Sequence, residues 1–194
     1  MERVASLLVE AGCDIEARND AGETVLFAWT DQLAFGRGDS GRMGQFVSLL
    51  LKYGANPCAT DRNGNTPLHK TLGWKQNERV VELLVKAGAD INATKESDGS
   101  TPLIAAAKAQ HLDVSVFIDH GADPNRQDTD GNTALHHICT SWLPERSHLQ
   151  EWLAFADPKI KNKVGESCLY NLRWGNGGKG SRSHPAPDGE RRRP

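Results

Sequence analysis

Few side chains in this sequence are spaced for chemistry. His137, Cys139 and His148 fall within 12 residues. Imidazole and thiolate are the usual zinc donors, yet this run has no Cys-x-x-Cys or His-x-x-x-His pair and no fourth ligand, so no metal site is expected. Gly36, Gly38 and Gly41 spell Gly-x-Gly-x-x-Gly. In a dinucleotide site those glycines let the backbone approach a pyrophosphate, but that chemistry requires a preceding strand and a βαβ unit, and neither is predicted here. Arg37-Gly38-Asp39 spells an adhesion tripeptide and is read as chance, because no basic and apolar leader opens the chain. No P-loop and no supported Ser-His-Asp set can be assembled. Asp61, Asp90, Asp98, Asp123, Asp128 and Asp130 stand among Gly and Asn residues, where a short carboxylate bonds its own turn, so they are read as turn formers and not as an acid–base pair. The chain is therefore expected not to be an enzyme, with no cofactor and no small-molecule substrate.

The elements that must carry these residues emerge from length and composition. The chain has 194 residues, 38% of them hydrophobic and 25% charged, with a mean hydropathy of −0.55. That fits one domain or two small ones and is too apolar for full disorder. No run of about 20 apolar residues is present, so no membrane span is expected. With no secretion signal either, a cytoplasmic or nuclear location is expected. Residues 1–172 carry 17 Lys and Arg against 23 Asp and Glu, whereas residues 173–194 carry 6 against 2. An acidic body lacks the basic face that phosphate binding requires, which argues against nucleic acid.

The chain repeats. Gly-x-Thr or Gly-x-Ser begins at Gly22, Gly64, Gly99, Gly131 and Gly165, in steps of 42, 35, 32 and 34. Out of phase run Gly12-Cys13-Asp14, Gly54-Ala55-Asn56, Gly88-Ala89-Asp90, Gly121-Ala122-Asp123 and the degenerate Phe155-Ala156-Asp157. Thr66 is a helix-capping residue and Pro67 suits the first helical position, a pairing repeated by Thr101-Pro102. Val80, Val81, Leu83 and Leu84 form an apolar stripe, and Gly88 ends that helix. Each unit thus reads as helix, turn, helix and a β-turn finger. One such unit cannot bury its apolar faces, so units stack into a solenoid.

The best unit, Asp61 to Ala93, holds Asn63-Gly64-Asn65-Thr66-Pro67-Leu68-His69, then Val80-Val81-Glu82-Leu83-Leu84, then Gly88-Ala89-Asp90-Ile91-Asn92. On these residues the chain resembles the ankyrin repeat family over residues 4–172. The resemblance implies an all-α solenoid of about four full repeats. The divisions are an N-terminal half repeat at 1–18, repeats at 19–60, 61–96, 97–127 and 128–162 (the last degenerate), and a C-terminal half repeat at 163–174. A disordered basic tail at 175–194 follows. The first full repeat carries an inter-helix loop insertion at 36–44, because four glycines in nine residues disfavour helix. The end units look cut, so the chain is expected to be a fragment of a longer array. In the family, the imidazole at the His69 and His136 positions makes structural hydrogen bonds. Cys13, Cys139 and Cys168 stand where other units carry small residues, and Cys58 stands where others carry Asn92 or Asn125. Leu84 and Asp90-Ile91-Asn92 are similar to the surroundings of asparagines hydroxylated in some ankyrin proteins.

The resemblance implies a concave face, built from fingers and first helices, that binds a protein partner. Carried over by position, the contact residues are Asp20, Ala21, Glu23, Arg62, Asn63, Asn65, Trp74, Asp98, Ser100, Lys108, Thr129, Asp130, Asn132 and Ser141. Acidic and neutral residues outnumber basic ones, which favours a basic or mixed-charge partner. The chain is expected to be a monomeric, non-catalytic interaction module. An alternative makes it part of a larger protein in which the array targets an enzyme or ubiquitin-ligase module. A small enzyme or metal protein using the His136–Cys139 region is a further one.

Overall fold

A computed structural model describes residues 7, 10–34, 40–71, 78–109, 115–140 and 146–170. Its helices are α1 (Val25–Ala34), α2 (Ser40–Lys52), α3 (Pro67–Lys70), α4 (Glu78–Lys86), α5 (Pro102–Lys108), α6 (Ser115–Asp119), α7 (Ala134–Thr140) and α8 (Arg146–Phe155). α1, α3, α5 and α7 stack as one layer, and α2, α4 and α6 stack as the other. Among the described residues, β pairing is confined to an isolated antiparallel bridge between Lys161 and Ser167. The architecture is an all-α repeat solenoid.

The apolar periodicity becomes a continuous core. Val80, Val81 and Leu84 of α4 are buried, with Leu83 packed against them, and one cluster runs from Leu26 to Cys168. Gly88 ends α4 at φ +97°, a left-handed conformation that costs an L side chain, and the Ala89 N–H turns back to the Leu84 carbonyl at 2.9 Å. Where Phe155 replaces this glycine, the Ala156 N–H bonds Trp152 at 3.0 Å, one residue nearer.

Helix starts are capped in two ways. Thr101 Oγ1 accepts from the Ile104 N–H at 3.2 Å. Where the third helical residue is histidine, the ring takes part instead: the Thr66 N–H donates to His69 Nδ1 at 3.1 Å and the Thr133 N–H to His136 Nδ1 at 3.2 Å. Pro67 and Pro102 open their helices.

The insertion expected at 36–44 is corrected in part. α2 begins at Ser40, so residues 40–44 are helical, while 35–39 lie outside the described residues. Packing overrides propensity here. Gly44 is buried, and a Cβ on it would meet Arg79 Cγ at 3.3 Å, so the missing side chain makes room for α4. At the C-terminal end, Cys168, Leu169 and Tyr170 begin a helical turn. The tail expected at 175–194 lies outside the described residues.

Candidate functional site

Each finger is a turn closed by its own backbone. The Asp61 N–H reaches the Asn65 carbonyl at 3.0 Å, and the Asp128 N–H reaches the Asn132 carbonyl at 2.9 Å. A side chain at the base completes the turn: Asp61 Oδ1 accepts from the Asn63 and Asn65 N–H groups, and Asp128 Oδ1 from those of Asp130 and Asn132. Asn19 and Asn162 take the same place in the first and last fingers. The third finger is one residue longer. It closes from Lys95 to Ser100 at 2.9 Å, so Asp98 serves Ser100 from within the turn.

Fingers then join their neighbours. The Arg62 N–H donates to Ala21 at 3.2 Å, Thr129 to Asp98 at 2.9 Å, and Lys163 to Asp130 at 3.0 Å. This contact demands glycine. A Cβ on Gly131, which has φ +79°, would lie 2.7 Å from Lys163 N. Below the fingers, His69 Nε2 faces the Ser100 carbonyl at 3.0 Å and His136 Nε2 faces the Glu166 carbonyl at 3.1 Å. A carbonyl only accepts, which puts the ring proton on Nε2 and leaves Nδ1 to accept from the cap. Burial lowers the pKa of His69, keeping it neutral.

The surface residues inferred from sequence are spread along this row. Asp20, Ala21, Arg62, Asn63, Thr129 and Asp130 are exposed. Glu23 accepts from the Asn19 amide at 2.8 Å, and the Asn65 amide is held by Asp61 at 2.7 Å. Asn132 accepts from the Asn162 amide at 3.1 Å. Ser100 is buried and supports the face from beneath. Trp74 and Ser141 lie outside the described residues.

Three of the inferred residues converge. Lys108, at the end of α5, places Nζ 2.9 Å from Asp98 Oδ2, 2.7 Å from Ser100 Oγ and 3.3 Å from Asp128 Oδ2 in the next repeat. His137 Nε2 donates to the same Asp128 oxygen at 2.8 Å. Burial disfavours the charged form of Asp98, but the Lys108 ammonium and the Ser100 donors outweigh it and hold the carboxyl at about 2. In Asp128, burial is likewise outweighed, by His137 and the Asn132 and Asp130 N–H groups, and the pKa is lowered. Burial dominates at His137, whose pKa is lowered despite Asp128. The side chain of Asp128 is 2% exposed, while Asp98 and Lys108 are 36% and 33% exposed, so the cluster is rooted in the core and opens onto the face.

Sequence reasoning did not single out Asp128 or His137 for this surface. The signal was an offset: Asp61 precedes Lys70 by nine residues, as Asp128 precedes His137. Lys70 also sits 5.6 Å above the Phe27 ring of the preceding repeat. The three residues of the zinc reading do not form one site. His137 turns to Asp128, Cys139 enters the core beside Cys168, and the side chain of His148 lies outside the described residues. Among the described residues, no three His, Cys, Asp or Glu are grouped so that they could hold a metal ion. The Asn92 amide is also occupied, donating to Gly121 at 3.1 Å and accepting from the Asp123 N–H at 2.8 Å.

Comparison with known proteins agrees with this architecture. The family model for ankyrin repeats (3 copies) matches residues 1–95 and 74–163. The ankyrin repeat protein L371 of Acanthamoeba polyphaga mimivirus is 33% identical over 92 residues, covering 47% of this chain and 12% of that protein. The E3 ubiquitin-protein ligase KEG of Arabidopsis thaliana is 32% identical over 111 residues, 56% of this chain and 7% of that protein. The ankyrin repeat-containing protein P1E11.10 of Schizosaccharomyces pombe is 32% identical over 122 residues, 61% of this chain and 58% of that protein. The chain thus spans less than two thirds of each of these relatives.

Proposed function

Because the chain belongs to the ankyrin repeat family, whose arrays are generally protein-interaction modules, we propose that it binds a partner protein without catalysing a reaction. The bound face is the row of fingers and first helices, centred on Lys108 and its carboxylates. One observation carries this reading. Asp98, Ser100, Lys108 and Asp128, from two consecutive repeats, form one ionic cluster open to solvent on that face. Exposed Asp20, Arg62 and Asp130 continue it in both directions. Fixed charges of both signs suit a mixed-charge, predominantly basic protein surface, since such patterning sets orientation and encounter rate. The Ser100–Lys108 contact is not read as a nucleophile–base pair. The ammonium is clamped between two carboxylates, and a general base needs a free electron pair.

Partner capture with wild type, Arg62→Glu/Asp130→Lys and the α8 control Glu151→Lys tests the site. The reading expects the double variant to lose the enriched partners and the control to keep them. Unchanged capture by the double variant, with its circular dichroism intact, would put the binding face elsewhere.

A second reading is favoured by coverage. The matched part of the ligase KEG is 7% of that protein, and in this reading the array likewise belongs to a longer polypeptide in which it positions an enzyme or ligase module. Immunoblotting the endogenous product separates the readings, since a mass well above that of 194 residues supports the second.

A further inference from the structure

The two ends of the array expose opposite halves of the contact that joins its repeats. The first residue of a first-layer helix is buried at Pro67, Pro102, Ala134 and Cys168, but its counterpart Val25 in the first full repeat is 36% exposed. The second residue is at most 1% exposed at Leu26, Leu68, Leu103 and Leu135, but 59% exposed at Leu169 in the last unit. Among the described residues, Val25 is therefore bare where no first-layer helix precedes it, and Leu169 where none follows.

The fingers show the same two halves. A Cβ on Gly22, Gly64, Gly99 or Gly131 would lie 2.7–3.3 Å from a backbone nitrogen of the next finger. Gly165 keeps the left-handed conformation, at φ +83°, yet a Cβ there meets no described atom within 4 Å. Val164, just before it, is 67% exposed. Its carbonyl occupies the place from which Ala21, Asp98 and Asp130 accept the N–H of the next finger. At the other end of the array the matching donor is the N–H of exposed Asp20, one residue into the first finger.

The turns after second-layer helices continue the series. Glu16, Cys58, Asn92, Asn125 and Lys159 each return an N–H to the side chain two residues earlier, at 2.8–2.9 Å. The first four then reach the next turn of the array. Lys159 is the fifth and is exposed, and the turn that would follow it in register carries exposed Asp14. Charge agrees: residues 10–23 hold five acidic side chains and one basic, whereas residues 159–166 hold three lysines and one glutamate.

We propose that the C-terminal edge of one chain docks onto the N-terminal edge of a second copy, so that the half units at 163–174 and 1–18 complete one repeat between two molecules. Leu169 packs on Val25 of the second copy, the Asp20 N–H donates to the Val164 carbonyl, and Lys159 pairs with Asp14. The chain's own tail is no substitute, because residues 175–194 contain no Val, Leu, Ile, Met or aromatic residue with which to build an apolar stripe. The two contacting surfaces differ, so each added copy leaves one edge of each kind free and assembly runs head to tail. This replaces the monomer expected from sequence and leaves the fingertips of the concave face open.

The test is sedimentation velocity of the 194-residue chain at rising protein concentration. The mass should climb past twice the single-chain 21.2 kDa. Val25→Asp and Leu169→Asp each change an exposed residue, so the circular dichroism should persist while the larger species are lost. An equal mixture of these two variants should form a dimer and stop there, because only one of its edge pairings is intact. Lys159→Glu should weaken assembly, and Asp14→Lys added to the same chain should restore it. A wild-type chain that stays monomeric at every concentration, assembly that closes at two copies, or blocked variants that fail to pair when mixed would overturn the proposal.

Discussion

The Cys58 thiol lies 3.4 Å from the Gly88 carbonyl, in the place where the Asn92 amide holds the Gly121 carbonyl at 3.1 Å one repeat later. The position is a staple between units. Glu16 uses it to accept from the Asn56 N–H at 2.8 Å, and Asn125 to accept from the Asp157 N–H at 2.8 Å. Asparagine makes both bonds, whereas a thiol makes one weak bond and has no amide oxygen for the Asp90 N–H.

Cys58→Asn should therefore stabilise the array. One added hydrogen bond and one strengthened one contribute about 1 kcal/mol. For a chain of this size that raises the melting temperature by roughly 2–4 °C. Urea denaturation of the variant beside wild type measures it, and an unchanged or lower midpoint would show that the staple geometry does not transfer between units.

Much of this fold is legible in the sequence because its contacts recur. Thr-Pro-Leu-His at Thr66, the stripe at Val80 and the stop at Gly88 act within one unit, and a unit seen several times identifies its own parts. The cluster at Lys108 is a different case. Its partner Asp128 belongs to the next repeat, and Asp98 comes from a finger lengthened by one residue, so the meeting depends on the register between units. The start of α2 at Ser40 was hidden for a similar reason, since the fit of Gly44 against Arg79 lies between helices. Cys139 and Cys168 read singly as small packing residues, and their burial in one core likewise needs the stacked array.

The two fingertip and helix-end glycines should respond differently to alanine. Gly88→Ala meets no atom within 4 Å, so it suffers only the left-handed backbone, worth about 1–2 kcal/mol. Gly131→Ala has the same strain at φ +79° and also drives its Cβ to 2.7 Å from Lys163 N. It should cost more than Gly88→Ala and should deprotect the Lys163 amide in hydrogen exchange, because the Lys163–Asp130 bond must lengthen. Equal costs would mean that the fingers slide apart freely.

Lys108→Met should remove the charge that holds Asp98 at about 2. A carboxyl whose folded pKa is depressed below the ordinary 3.8 binds fewer protons folded than unfolded. Its stabilisation is thus complete above about pH 4 and is lost as pH falls towards 2. Asp98 is 36% exposed, so solvent screening keeps its share near 1 kcal/mol. Asp128 is 2% exposed and keeps only His137 and its turn N–H groups. The variant should be less stable at pH 7 and approach wild type near pH 2. Carboxyl titration by NMR should show Asp98 moving up towards 3.8. An Asp98 titration left at about 2 would refute the assigned role of Lys108.

Mild acid should loosen the array through its imidazoles. His69 is held neutral by burial, with its proton on Nε2 facing Ser100, and His137 is also shifted down by burial. Each binds fewer protons folded than unfolded, so its contribution is complete above the ordinary 6.5 and declines as pH falls below it. The first repeat carries Phe27 at the His69 position, buried and tolerated, which makes His69→Phe a fair probe. Loss of the ring bonds to Ser100 and to the Thr66 cap should cost about 1–3 kcal/mol at pH 7.5. Between pH 7.5 and 5.5 the variant should lose less stability than wild type, with His137 contributing to the slope that remains. Urea midpoints at the two pH values decide this: parallel losses in both proteins would mean that His69 does not titrate with folding.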